Sequence, residues 1–247
     1  VKRTESSRRA FAIGCALAAG GLAVGGGYVI AGARPTLFVF IPTMIRARAL
    51  VKLLRAGFKD VDVTVFGRFA DFTSAVKRMR PDAALSLPVA LASLGLQPSI
   101  QGAGPTGKME PYVLLTPHVD LTVSQLPERT IGVVDVVGRS ALPTLVKELV
   151  GLTKSPKIRR VLKVADLLPL LSLELADAIV LPERMMRPLL ASSRLGLRIL
   201  RPSGALLSRT ALAYTGKSAE PAIESGLSRL PPEALRALGV LQWEPVS

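Results

Sequence analysis

One cysteine and one histidine set the outer limits of the chemistry. Cys15 stands inside a long uncharged run, and His118 stands far from it in Thr116-Pro117-His118. A Cys/His zinc cluster or a CxxCH haem attachment needs more of both residues. The apolar setting of Cys15 argues against a cysteine–histidine nucleophile pair, and no GxSxG frames a serine for His118 to activate. His118 therefore reads as a satisfied or solvated side chain. Gly102-Ala103-Gly104-Pro105-Thr106-Gly107-Lys108 has the GxxxxGK spacing of a phosphate-binding loop. Met109 follows it where a Ser or Thr would hold magnesium, no apolar strand leads into it, and Pro111 obstructs a helix after it. A surface loop is expected there. With no acid–base pair and no metal cluster in view, an enzyme is not expected, and no cofactor is implied.

Lys154-Ser155-Pro156-Lys157-Ile158-Arg159-Arg160-Val161-Leu162-Lys163 is a basic run without the interleaved aromatics that nucleic-acid binding wants. A solvated face is the first reading; contact with anionic headgroups or an acidic partner is the second. The whole chain has 247 residues and a net charge of +14. Only Lys2, Arg3, Glu5, Arg8 and Arg9 are charged before residue 34, so the rest carries 28 Lys/Arg against 17 Asp/Glu. The basicity belongs to the main body, which points to an anionic partner or surface. At 49% hydrophobic and 20% charged residues the chain is neither a disordered tail nor a disulfide scaffold.

Ala10 to Ala33 holds no charge. A helix over that length covers ~30 Å or more, the thickness of a bilayer core. The four flanking cations place the N-terminus in the cytoplasm and send the body across, so residues 1–34 are expected to form a cytoplasmic N-terminus and a single inner-membrane span. Retention as an anchor and cleavage after Ala31-Gly32-Ala33 both remain open. Ser7-Arg8-Arg9-Ala10-Phe11-Ala12 resembles a twin-arginine export motif, which implies a body folded before export into the periplasm. Gly21 to Gly25 is a GxxxG, a spacing that lets membrane helices approach closely.

These chemistry-poor residues hang on a repeated frame. Leu37 to Ile41 is a continuous apolar run, as a buried parallel strand should be. Helix 47–56, strand 61–66, helix 71–79 and strand 82–85 follow, giving βαβαβ order. A second copy starts at Thr130 to Val134 and continues with helix 140–150. Gly57 and Gly151, expected to stop the two first helices, are 94 positions apart; Asp82 and Asp177, which open two later strands, are 95 apart. Matched offsets across two motifs imply two lobes of one plan. The lobes are expected at 35–115 plus 203–247 and at 116–202, joined near Tyr112 to His118 and near Arg198 to Pro202, with a ligand cleft between strand ends.

In this order and spacing the chain resembles periplasmic solute-binding proteins of the type 2 fold, closest to the phosphate/phosphonate branch that serves ABC importers. The resemblance runs from Leu37 to Val246. It is carried by Leu37 to Pro42, Asp71 to Val76, Asp82 to Leu85, Tyr112, Ile131 to Ser140, Ala176-Asp177-Ala178 and Leu238 to Pro245. It implies a two-lobed α/β receptor, here behind an N-terminal transmembrane helix, that closes about a hinge and passes a small anion to a permease. The ligand positions transfer less completely. The family's Asp-Tyr pair is Asp71-Phe72 here, so a donor hydroxyl is gone; the Ser/Thr-rich turn of the second lobe is Gly138-Arg139-Ser140-Ala141; Ser86-Leu87 stands where a Tyr-Gly pair usually does.

The donors left for an anion are Thr43, Arg68, Ser86, Arg139 and Ser140. A buried oxyanion needs several such donors converging, with Arg139 able to make a bidentate contact. Two functions follow from this partial set. One is a membrane-anchored receptor for a phosphate-type anion feeding an ABC importer. The other is a ligand-free accessory subunit of a membrane protein complex that keeps the binding-protein fold.

Overall fold

The computed structural model describes residues 34–216 and 220–246. The expected span Ala10 to Ala33, the export-like motif and Cys15 lie outside them. Among the described residues no helix is long and apolar enough to cross a membrane.

The body alternates short strands and helices. The first run is β1 (Thr36–Val39), α1 (Ala47–Arg55), β2 (Asp62–Val65), α2 (Phe69–Met79), β3 (Ala83–Ser86), α3 (Pro88–Ala92) and β4 (Ile100–Ala103). The second is β5 (Met109–Thr116), β6 (Thr130–Val134), α4 (Leu142–Val150), β7 (Lys157–Val161), α5 (Leu167–Ser172), β8 (Ala178–Pro182), α6 (Met186–Ser192), β9 (Arg198–Leu200) and β10 (Leu206–Ser208). The chain finishes with β11 (Ala211–Tyr214), α7 (Pro221–Ser228), α8 (Pro232–Leu238) and β12 (Gln242–Pro245). Two sheets result. The first has the order β12-β4-β11-β3-β1-β2; the second has β10-β5-β8-β6-β7, with β9 also on β5.

The two sheets share one plan. β2, β1 and β3 run parallel, and β11 is antiparallel to β3. β7, β6 and β8 run parallel in the same way, and β5 is antiparallel to β8. The paired aspartates make the repeat physical. The Asp82 carboxylate accepts from the Thr36 backbone N–H at 2.7 Å and from the Thr36 hydroxyl at 2.8 Å; the Asp177 carboxylate accepts from the Thr130 backbone N–H at 2.8 Å. Each thus ties the start of its lobe's third parallel strand to the start of the first. The Thr36 N–H holds the Asp82 carboxyl below the ordinary carboxylate value.

The matched glycines prove to do different work. Gly151 is left-handed at φ +71° and caps α4 as a helix-stop glycine should. Gly57 is a close-approach position: a Cβ there would lie 2.6 Å from the Gly226 carbonyl oxygen on α7.

Sheet membership also departs from the expected lobe limits. Met109–Thr116 is a long strand of the second sheet, paired to β8, β9 and β10. The passages between sheets fall at 104–108 and 209–210, not near Tyr112 to His118 and Arg198 to Pro202. β5 runs on to Thr116, so the expected joint at Tyr112 to His118 lies within and just after a strand of the second sheet. The GxxxxGK stretch is the turn that makes the first passage: Gly104 and Gly107 exchange backbone hydrogen bonds at 2.9 Å.

Two apolar cores follow from this layout. One packs Leu37, Val39, Leu50, Leu54 and Leu238 on the α1 and α8 side of the first sheet. The other starts on the opposite face of that sheet, with Phe38, Phe40 and Phe72, and runs without a break into Val133, Leu142, Leu167 and Ile179 of the second lobe.

Candidate functional site

In sheets of this kind, ligands sit at the carboxyl ends of the parallel strands. The topology brings the strand ends of both lobes to that edge. After β1 come Phe40, Ile41 and Pro42, all buried, then Thr43, half-buried. The Thr43 Oγ accepts from the Ile45 N–H at 3.3 Å, which folds the turn into α1. After β2, Arg68 is exposed at the start of α2. Ser86, the last residue of β3, is fully buried, and its hydroxyl donates to the Phe40 carbonyl at 2.7 Å. Its only proton is therefore committed inside the first lobe. After β6, Arg139 and Ser140 are exposed in the loop that leads to α4. Ser140 precedes the α4 cap, which is Ala141.

What lies between these positions is apolar. Phe40 packs on Phe69 and Phe72, with ring centroids 5.7 and 5.8 Å apart, and Phe72 meets Phe66 at 5.9 Å. Phe72 replaces the hydroxyl-bearing residue that the family resemblance implies. It is fully buried in this cluster, so a hydroxyl there would have needed a partner among phenyl rings. Across from it, Val136 and Val137 are buried, and the loop turns at Gly138 with φ +86°. A Cβ on Gly138 would touch the Phe69 ring at 3.7 Å, so the second lobe's loop rests on the first lobe's α2. A void inside the second lobe's core, lined by Val133, Val146, Leu149, Leu167 and Val180, reaches the first lobe only at Pro42. That void is ≈ 30 Å³. Burial pushes the Tyr112 phenol up, so it stays protonated.

Asp135, which sequence reasoning passed over, is the buried charge of this edge. It is 3% exposed. One carboxylate oxygen accepts from the Gly138 N–H at 2.7 Å, and the other meets an Arg160 Nη1 at 2.9 Å. An acid inside Val133-Val134-Asp135-Val136-Val137 was its visible signal. The carboxylate holds the loop in shape and neutralises one cation of β7.

A second buried charge cluster sits where the chain passes between sheets. Arg209 donates to the Gly107 carbonyl at 3.0 Å, the Thr106 hydroxyl at 3.0 Å and the Gly239 carbonyl at 2.7 Å. It also lies 3.6 Å from the Glu110 carboxylate, which Arg184 Nε approaches to 2.6 Å. Burial pushes the Glu110 carboxyl up, while Arg184 and Arg209 pull it down; burial wins. The cluster fastens both passages to the end of α8. Its charged members, Glu110, Arg184 and Arg209, come from three distant stretches, so no sequence motif joins them.

His118 is half exposed, its Nε2 3.7 Å from an Asp177 oxygen that Arg129 also approaches at 3.6 Å. This group lies at the opposite end of the second sheet from the candidate site. Among the described residues no cluster of His, Cys, Asp and Glu could hold a metal ion.

No protein-family model matches the chain, and no curated protein matches it. Solved structures do. A Xanthomonas citri protein, XAC2383 bound to ATP, superposes with a TM-score of 0.59 at 13% identity, over 86% of this chain and 91% of that one. An amino acid ABC transporter substrate-binding protein from Streptococcus pneumoniae, bound to L-arginine, gives 0.54 at 14% identity, over 83% and 90%. The Bordetella pertussis BvgS periplasmic domain gives 0.55 at 16% identity over 83% of this chain, which spans only 42% of that one. With the repeated strand order, these likenesses establish the fold of the described body as that of the solute-binding proteins.

Proposed function

We propose that this chain is a closed binding-protein module that works through its outer surface, as a non-enzymatic subunit of a membrane-associated protein assembly. The observation that carries this reading is the continuous apolar core across the two lobes, with the Gly138 loop beside Phe69. A flytrap receptor alternates between open and closed forms, and its cleft is wet when open. Opening this one would return Phe40, Phe69, Val136 and Val137 toward water at a cost of ~25 cal/mol per Å² of apolar surface. It would also strain the Arg209 cluster, whose bonds cross the passages.

A solute receptor is the second reading, favoured by the fold and by the exposed arginines Arg68 and Arg139 at the strand ends. A phosphate or phosphonate would draw on Thr43, Arg68, Arg139 and Ser140, but not on the Ser86 proton. On this proposal the assembly sits at the periplasmic face of the inner membrane, with Ala10 to Ala33 as its anchor; an importer permease is one partner of the right kind. The test is thermal unfolding with phosphate, methylphosphonate, L-arginine, L-glutamate and ATP in turn, beside gentle detergent extraction from native membranes. No saturable rise in Tm, together with stoichiometric co-purifying partners, is expected. A saturable rise that Arg139→Ala removes would overturn the proposal in favour of a receptor.

A further inference from the structure

The two lobes repeat each other in strand order, so their outer edges can be compared directly. β2 closes the first sheet with Asp62-Val63-Thr64-Val65; β7 closes the second with Lys157-Ile158-Arg159-Arg160-Val161. The cationic edge is thus a property of the second lobe and not of the plan. Lys154, Lys157, Arg159 and Lys163 are all exposed, and among the described residues none of them lies in an ion pair. Arg160 is the exception, spent on Asp135. Leu162, 36% exposed, directly follows β7 and precedes Lys163. Charges on an edge strand discourage another strand from adding to it. That disfavours a β-strand of a partner protein as occupant.

We propose that the β7 edge docks on the anionic phospholipid headgroups of a bilayer, with Leu162 entering the interface. Clusters of four or more Lys/Arg beside an apolar side chain are what such a surface attracts, each cation adding to an attraction that fades within a Debye length. Lys157 and Arg159, two apart on β7, share one face of that strand, and Lys154 and Lys163 stand in the turns that flank it. Pro156, buried before β7, fixes the approach of the chain on one side, and Val164, buried after it, fixes the other. The proposal stands on the charge and exposure of this edge and is independent of whether the seam between the lobes binds a solute.

The experiment uses the full chain with vesicles of phosphatidylcholine alone or with ~30% phosphatidylglycerol, read by co-sedimentation at low and physiological salt. K157E/R159E/K163E is compared with R48E/K52E/R55E, which reverses the exposed cations of α1 by the same net charge; both keep residues 1–33 intact, so that segment cancels. Circular dichroism and Tm confirm that each variant folds, and K157Q/R159Q/K163Q replaces the first if it does not. The preference of the natural chain for anionic vesicles is expected to fall ~10-fold or more in the β7 variant and less than ~2-fold in the α1 variant. Equal losses in both variants would reduce the effect to net charge and overturn the proposal. Equal binding of the natural chain and the β7 variant to the anionic vesicles would overturn it too, leaving the edge to an acidic protein surface.

Discussion

The lobes of this protein are alike where they must fold and unlike where they meet the outside. Asp82 and Asp177 tie strand to strand in the same way, and both sheets put an antiparallel strand beside the third parallel one. Beyond that shared frame the first lobe fills its α2 face with five phenylalanines, Phe38, Phe40, Phe66, Phe69 and Phe72, while the second uses aliphatic residues such as Val133, Leu167 and Ile179. The two fillings join into a single core. A repeated frame fixes the strand order; what fills the space between the copies decides whether they can part.

The largest effect expected from breaking this join is at Phe72. Phe72→Ala removes a fully buried ring and should cost about 3–5 kcal/mol. Because its core continues into the second lobe, both lobes should unfold in one shifted transition by circular dichroism and by tryptophan fluorescence, Trp243 reporting the first lobe. Two separated transitions would mean that the lobes are independent. Arg209→Ala comes next, at about 3 kcal/mol, because it takes the donor from the Gly107 and Gly239 carbonyls and the Thr106 hydroxyl. Calorimetry against Glu110→Gln should show the smaller loss in the glutamine variant, which keeps the shape without the charge.

The two lobe-tying carboxylates sharpen the comparison at about 1–2 kcal/mol each, measured as Asp82→Ala and Asp177→Ala. The Asp82 carboxyl is held low, so its contribution is present above the ordinary carboxylate value and is lost as pH falls through the folded value. Glu110 has the opposite sign. Its raised carboxyl favours the folded state at low pH, and that contribution is lost as pH rises through the folded value. Urea midpoints followed from pH 3 to 7 should therefore bend in opposite directions in Asp82→Asn and Glu110→Gln. The smallest effect is at the helix stops. Gly151→Ala forces a left-handed alanine and should cost about 1 kcal/mol by urea midpoint. Gly57→Ala tests contact instead, since its Cβ would strike the Gly226 carbonyl.

Much of the frame was legible in the chain itself. Apolar runs of four to six residues, each followed by an amphipathic stretch, gave the parallel strands and their helices, because those patterns arise within one element. The paired aspartates were legible as a repeat, although their bonds to Thr36 and Thr130 were not. The passages between sheets were misread at Tyr112 and Arg198. A strand that pairs antiparallel to β8, some seventy residues on, carries no local mark of which sheet it joins. At the candidate site, Thr43, Arg68, Ser86, Arg139 and Ser140 stand at or after strand ends, but a hydroxyl's partner cannot be read from spacing. Ser86 turned inward to the Phe40 carbonyl, and the buried charges Asp135, Glu110 and Arg209 emerged only once distant segments had come together.

The relation between the lobes tests the account most directly. Spin labels at Arg68→Cys and Arg139→Cys, in a chain with Cys15→Ser, would stand on the two exposed banks of the seam. Pulsed dipolar spectroscopy should give a single narrow distance that phosphate, L-arginine and ATP leave unchanged. A broad or two-population distance, drawn to the shorter value by one of those solutes, would contradict the account and make this protein an opening and closing receptor.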